Sequence, residues 1–236
     1  MQDQTEISAT NAADHDRRRW LVEIAAVIAV FVLPALALSI TSFATGTRSD
    51  ETQATLSYVS GLMHCLSLIG FFAFLVWSSR EELAAFGLRK PRWRVDIPLA
   101  IWLLVGFYVL YYAYAVLVYN LMPELYPERQ QSFEFARIVT SGDRVIAACH
   151  AIANGCAEEL LLWGVLFTRF VRLWEQKAVG VVMISCVFAS YHIYQGPFAV
   201  GGVFLLGLVH GSLFAARSSL VPLMLAHIVW DMQVLL

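Results

Sequence analysis

Seven apolar runs in 236 residues leave this chain little choice of fold. They are Trp20–Phe43, Leu56–Trp77, Ile97–Tyr119, Val145–Phe170, Val179–Tyr194, Val200–Ala215 and Leu220–Leu236. The longer ones reach the roughly 20 residues a helix needs to cross a hydrocarbon core. Lipid offers the backbone no hydrogen-bond partners, so such runs close their own bonds as helices. Charged residues make up 14% of the chain, too few to cover a water-soluble globule, which carries roughly 25%. The expectation is an all-α, polytopic transmembrane bundle of about seven spans. The last three runs are short, which suits helices packed inside a bundle. Between 119 and 144, Pro123, Pro127 and several charges argue against a full span. Ser132–Val139 reads there as a short interfacial helix, and an eighth membrane segment is left open.

The basic residues give this bundle a direction. Cytoplasmic loops carry the excess of Lys and Arg. With the N-terminus inside, twelve of the sixteen fall on inner segments: Arg17, Arg18, Arg19, Arg80, Arg89, Lys90, Arg92, Arg94, Arg169, Arg172, Lys177 and Arg217. Arg48, Arg129, Arg137 and Arg144 fall outside. Residues 1–16 are polar and read as disordered, within a tail ending at residue 19. The arginines that follow lead into a run with no small-residue cleavage site, so it reads as a retained span and not a signal peptide. Residues 20–95 then hold two spans and a basic loop, and 96–236 a core. A net charge of −2 gives no basic footprint for nucleic acid. Cys65, Cys149, Cys156 and Cys186 all sit in apolar runs without a C-x-x-C pair, and read as packing residues.

Against this background a few polar residues stand out. A charge at the bilayer centre costs about 2.5–3.5 kcal/mol even on lenient insertion scales, so such residues default to function. The fourth run holds Glu158 and Glu159, the fifth His192 after Phe188, and the seventh His227 and Asp231. Residues four apart share a helix face, which pairs His227 with Asp231 and Asn154 with Glu158. Glu158 and Glu159 diverge by about 100° and must take different roles. Spans four, five and seven can therefore bring Glu158, His192, His227 and Asp231 into one polar cavity, with Glu159 turned to packing. A glutamate held out of water can take a proton from a water molecule. One histidine can orient that water and another can donate to an oxyanion. The same four residues are also conceivable zinc ligands, although no H-E-x-x-H is present. His64, His150 and His210 read as helix–helix hydrogen-bonding residues, with His150 near enough in register to edge the cavity. Gly207 and Gly211 form a G-x-x-x-G that reads as tight packing within the chain.

The ordered set Glu158-Glu159-x-x-x-Trp163, Phe188-x-x-x-His192 and His227-x-x-x-Asp231 resembles the CPBP family of intramembrane proteases. That family includes type II CAAX prenyl endopeptidases and the bacterial Abi relatives associated with bacteriocin processing and self-immunity. The resemblance spans about residues 96–236. It implies an intramembrane endopeptidase acting on a membrane-associated, prenylated or bacteriocin-like peptide or a membrane-protein substrate. It implies Glu158 and His192 as water activators and His227 as oxyanion donor, supported by Asp231. A metal-free glutamate mechanism is the first reading and a zinc metalloprotease the second. The family arginine, the natural partner of Glu159, is replaced by Trp163, whose indole could donate one hydrogen bond. The usual final asparagine is replaced by Asp231. These departures carry the alternative, a membrane scaffold or assembly factor on the protease fold, with a membrane-protein complex as partner. Lipid is a partner on either reading, and a bacterial inner (plasma) membrane fits the orientation.

Overall fold

The computed structural model describes residues 2–45, 54–126 and 140–235. Among these the secondary structure is helical throughout, in nine α-helices, two wider π segments and three short 3-10 turns. They are α1 (Gln2–Val27), α2 (Leu33–Thr45), α3 (Ala54–Ser79), α4 (Trp93–Leu121), α5 (Ser141–Glu159), α6 (Thr168–Trp174), α7 (Lys177–Ser190), α8 (Pro197–Arg217) and α9 (Val221–Leu235). A π segment at Ile28–Val32 joins α1 to α2 and another at Leu160–Phe167 joins α5 to α6. The chain is an integral membrane protein with an all-α, polytopic bundle. Five stretches are long and apolar enough to cross a membrane: Asp14–Thr45, Leu56–Ser79, Trp93–Leu121, Ser141–Trp174 and Pro197–Arg217.

Three details depart from the sequence expectation. The 2–16 stretch expected to lack structure is helical from Gln2 onward, since its Ala, Gln and Glu residues favour helix and a formed span lowers the cost of extending it. The expected fifth and seventh spans are the 14-residue α7 and the 15-residue α9. At 1.5 Å per residue each is about 21–23 Å long, less than a hydrocarbon core; α7 keeps Val179, Val182 and Met183 exposed on its outer side. Third, α5 starts four residues earlier than the hydropathy suggests, at a capping box. The Thr140 hydroxyl accepts from Asp143 N–H while Asp143 accepts from Thr140 N–H. The interfacial helix read at Ser132–Val139 lies outside the described residues.

The α5–α6 rod is the axis of the molecule. Its membrane window is 56% buried, against 17–39% for the other long helices. On it pack α3, α9 and the end of α1, while α7 lies along α8 and α4 closes on α8 and α9. Close packing along α8 relies on glycine. A Cβ at Gly207 would come within 2.9 Å of Ser185, and one at Gly211 within 2.4 Å of the Trp163 ring. The G-x-x-x-G is thus spent on neighbours within the chain.

One end of the bundle is tied by ions. Arg19 reaches the Ser79 carbonyl at 3.1 Å and Glu81 at 2.9 Å. Arg169, with no exposed surface, pairs with Glu23 at 2.5 Å and Glu81 at 3.1 Å. Arg172 meets Glu81 at 2.7 Å. Burial works to raise the Glu81 pKa, yet Arg169 and Arg172 outweigh it and hold the carboxyl below its usual range. This cluster places the start of the first span and the ends of α3 and α6 in one layer, here called the basic face. Alternating helix directions put the twelve expected inner Lys and Arg residues there.

Candidate active site

The five polar residues of the apolar runs come together, and the two glutamates part as helical geometry requires. Glu158 faces a cavity of about 530 Å³. His192, His227 and Asp231 line the same cavity, with Asn154, Phe188, His64 and His150. Glu158 is 6% exposed and Glu159 1%. Glu159 is turned away, into packing between α5, α8 and α9.

Glu159 has partners that the motif does not announce. Its Oε1 accepts from His210 Nδ1 and from His227 Nδ1, both at 2.8 Å. An ionised carboxylate buried without partners would be very costly, and two imidazoles stand where an arginine was expected. Trp163, 1% exposed, lies with its ring on Gly211 and edge-on to Phe167 at 5.8 Å. Neither bond to Glu159 comes from its indole. His210 thus has the interhelical role expected of it, with a partner that was not foreseen.

His227 is the hub. Its Nδ1 faces Glu159, and its Nε2 lies 3.4 Å from Glu158 Oε2 and 3.6 Å from Asp231 Oδ1. Asp231 is held by its other oxygen, which accepts from Asn154 Nδ2 at 3.0 Å. Asn154 in turn accepts from Cys65 Sγ at 3.6 Å, so Cys65 is part of this network and not only packing. With Nδ1 donating to Glu159, His227 donates from Nε2 only when its ring carries two protons. That charge would sit among Glu158, Glu159 and Asp231.

His192 has a defined tautomer. A carbonyl oxygen can only accept, so the 2.9 Å contact between His192 Nδ1 and the Phe188 carbonyl fixes Nδ1–H. Nε2 is then left with a lone pair. Phe188 holds the ring edge-on at 5.1 Å and touches His227 at 5.9 Å, a packing role for both histidines. Tyr191, which sequence reasoning passed over, adds a hydroxyl next to Glu158. Tyr191 Oη and Glu158 Oε2 are both buried and within reach of each other. A tyrosine beside a motif histidine was the available signal.

Beside the four cavity residues that the sequence offered as ligands lies a tighter group. Within the described residues, the group whose ligand atoms all lie within 4.8 Å of one another is Glu159, His210 and His227. His210 Nδ1 and His227 Nδ1 each bond to Glu159 Oε1 in that group.

Residues 140–233 match the family model described as Rce1-like, type II CAAX prenyl endopeptidase. This segment is similar to that family. The Rce1-like segment begins at the Thr140 cap and ends just past Asp231, so it contains all three motifs and both helices that bond Glu159. It starts later than the 96–236 region that the motifs suggested, leaving α1 to α4 outside. Comparisons with curated proteins and with solved structures gave no match.

Proposed function

We propose that the protein is an intramembrane endopeptidase in which Glu158 and His192 activate the attacking water. The observation that carries this reading is the convergence of Glu158, His192, His227 and Asp231 on one cavity inside an Rce1-like segment. A water between Glu158 Oε2 and Tyr191 Oη would satisfy two buried groups at once, with the His192 Nε2 lone pair in the same cavity to orient it. Its oxygen attacks the peptide carbonyl carbon while its proton passes to Glu158. His227 Nε2–H then donates to the oxyanion. Collapse breaks the C–N bond, and the Glu158 proton leaves with the amine.

Asp231 beside Nε2 acts on His227, not on the oxyanion, which an ionised carboxylate would repel. Asn154 fixes it there. The departure at Trp163 likewise loses its force, because Glu159 has two donors without the arginine. The scaffold reading rested on those departures and is retained as an outcome of the test.

The test is cleavage of a membrane-peptide library by reconstituted protein, alongside Glu158→Gln and with 1,10-phenanthroline. Expected are defined products from the wild type, none from the variant, and rates within about twofold under chelation. No products from either protein, with partner binding intact in both, would favour the scaffold.

A further inference from the structure

The depth of the cavity is legible helix by helix, and each helix gives the same answer. On α8, which runs toward the basic face, the lining residues are Ala199, Gly202, Val203 and Leu206, all in its first half. On α9, which runs the other way, they are His227, Trp230 and Asp231, from its middle onward. On α5 they end at Glu158, eleven residues or roughly 15 Å short of Arg169.

Below Glu158 the bundle is solid. Every residue from Leu160 to Phe167 is buried. Phe86, Leu220, Leu223 and Phe214 fill the space around them at 0–2% exposure. Toward the far face the lining continues to Ser42 on α2 and reaches Leu38, 70% exposed, and His64, also exposed. The cavity is therefore closed toward the basic face by packed side chains and lined out to the surface on the other.

Resting on the peptidase reading above, we infer that the site takes its substrate from the face opposite the basic loops, as a polypeptide segment presented in that leaflet. Under the positive-inside rule this is the non-cytoplasmic side. The lining states the chemistry of the segment. Phe31, Phe107, Tyr111 and Trp230 surround the polar cluster, and among the described residues no lysine or arginine lines the cavity. Apolar side chains next to the scissile bond, with neutral or basic flanks, suit such a wall.

Thiol accessibility tests the inference without using catalysis. The four native cysteines are replaced by alanine, and a single cysteine is placed at Val203, deep in the cavity, or at Arg217, on the basic face. The charged reagent 2-(trimethylammonium)ethyl methanethiosulfonate, which does not cross bilayers, is added to right-side-out and to inside-out vesicles. Protected thiols are then counted after denaturation. Val203→Cys should react at least about tenfold faster in right-side-out vesicles, and Arg217→Cys in inside-out ones, since only a hydrated thiolate reacts. Reaction of both from the same side overturns the inference. So does a Val203→Cys that reacts only after denaturation. Failure of peptide cleavage would strike the reading beneath it and leave the labelling result standing.

Discussion

The rod formed by α5 and α6 carries two buried charge clusters, one at each end of a π segment, and they are built differently. At the basic face the carboxylates Glu23 and Glu81 are held by arginines. In the cavity Glu159 is held by histidines, while Glu158 and Asp231 stand around the far side of one of those rings. An arginine keeps its proton throughout the accessible pH range, so its ion pairs are fasteners. An imidazole gains and loses protons near neutrality, so its pairs can take part in proton transfer. The same cost of burying charge thus serves the joining of helices in one place and chemistry in the other.

The sharpest way to break this contrast is to neutralise one member of each cluster. Glu158→Gln should lower cleavage by about 10²–10⁴-fold, the usual contribution of a general base. Its thermal unfolding in detergent should be unchanged or raised, since a buried charge is removed. Arg169→Met should do the reverse. It leaves buried Glu23 with only Arg19 at 3.7 Å and takes one of three arginines from Glu81, and should cost up to about 3 kcal/mol of stability, seen as a lowered unfolding midpoint. Adding Glu23→Gln should recover part of that loss. If Glu158→Gln proves as destabilising as Arg169→Met, the two clusters are both fasteners and the contrast fails.

Trp163→Arg restores the residue that the motif leads one to expect, and should still harm the protein. The indole fills a buried site against Gly211, and Glu159 is already bonded by two histidines. A loss of about 2–4 kcal/mol is expected from the missing ring and the buried charge, measured beside the milder Trp163→Phe. A gain in stability or cleavage would mean that the histidines are poor substitutes for the arginine.

The smallest effect concerns pH. Arginines lower the Glu81 pKa in the folded protein. Its stabilisation is therefore complete above the unfolded carboxylate value and is lost as pH falls through the lower folded value. Partial exposure limits it to about 1 kcal/mol or less. Unfolding midpoints between pH 6 and the acid limit should fall less steeply in Glu81→Gln; equal slopes would remove Glu81 as a contributor.

Much of this molecule could be read from its sequence because lipid enforces two simple rules. Apolar length gave the spans, and intolerance of buried charge picked out Glu158, His192, His227 and Asp231. Each miss has a physical source. Glu23 sits in the first apolar run and the same rule applies to it, but its partner Arg169 is 146 residues away and reads as a loop charge. His210 is a lone histidine between two glycines, and its bond to Glu159 depends on how α8 packs. The turn of His192 toward the Phe188 carbonyl is a side-chain choice that spacing does not encode. The π segment was invisible for another reason: Leu160–Phe167 is apolar all round, so no periodicity marks a change of winding.

That widened stretch has a genealogical consequence. Each π turn closes its bond at i→i+5 where an α turn uses i→i+4, so Leu160–Phe167 holds a spare residue of length. A lineage that lost one residue there could rewind the stretch as ordinary helix and still present Glu159 and Arg169 on their present sides. A loss between Ala147 and Gly155 has no such slack and would rotate Glu158 out of the cavity. Relatives of this chain should therefore vary in length on one side of the glutamate pair and hold it fixed on the other.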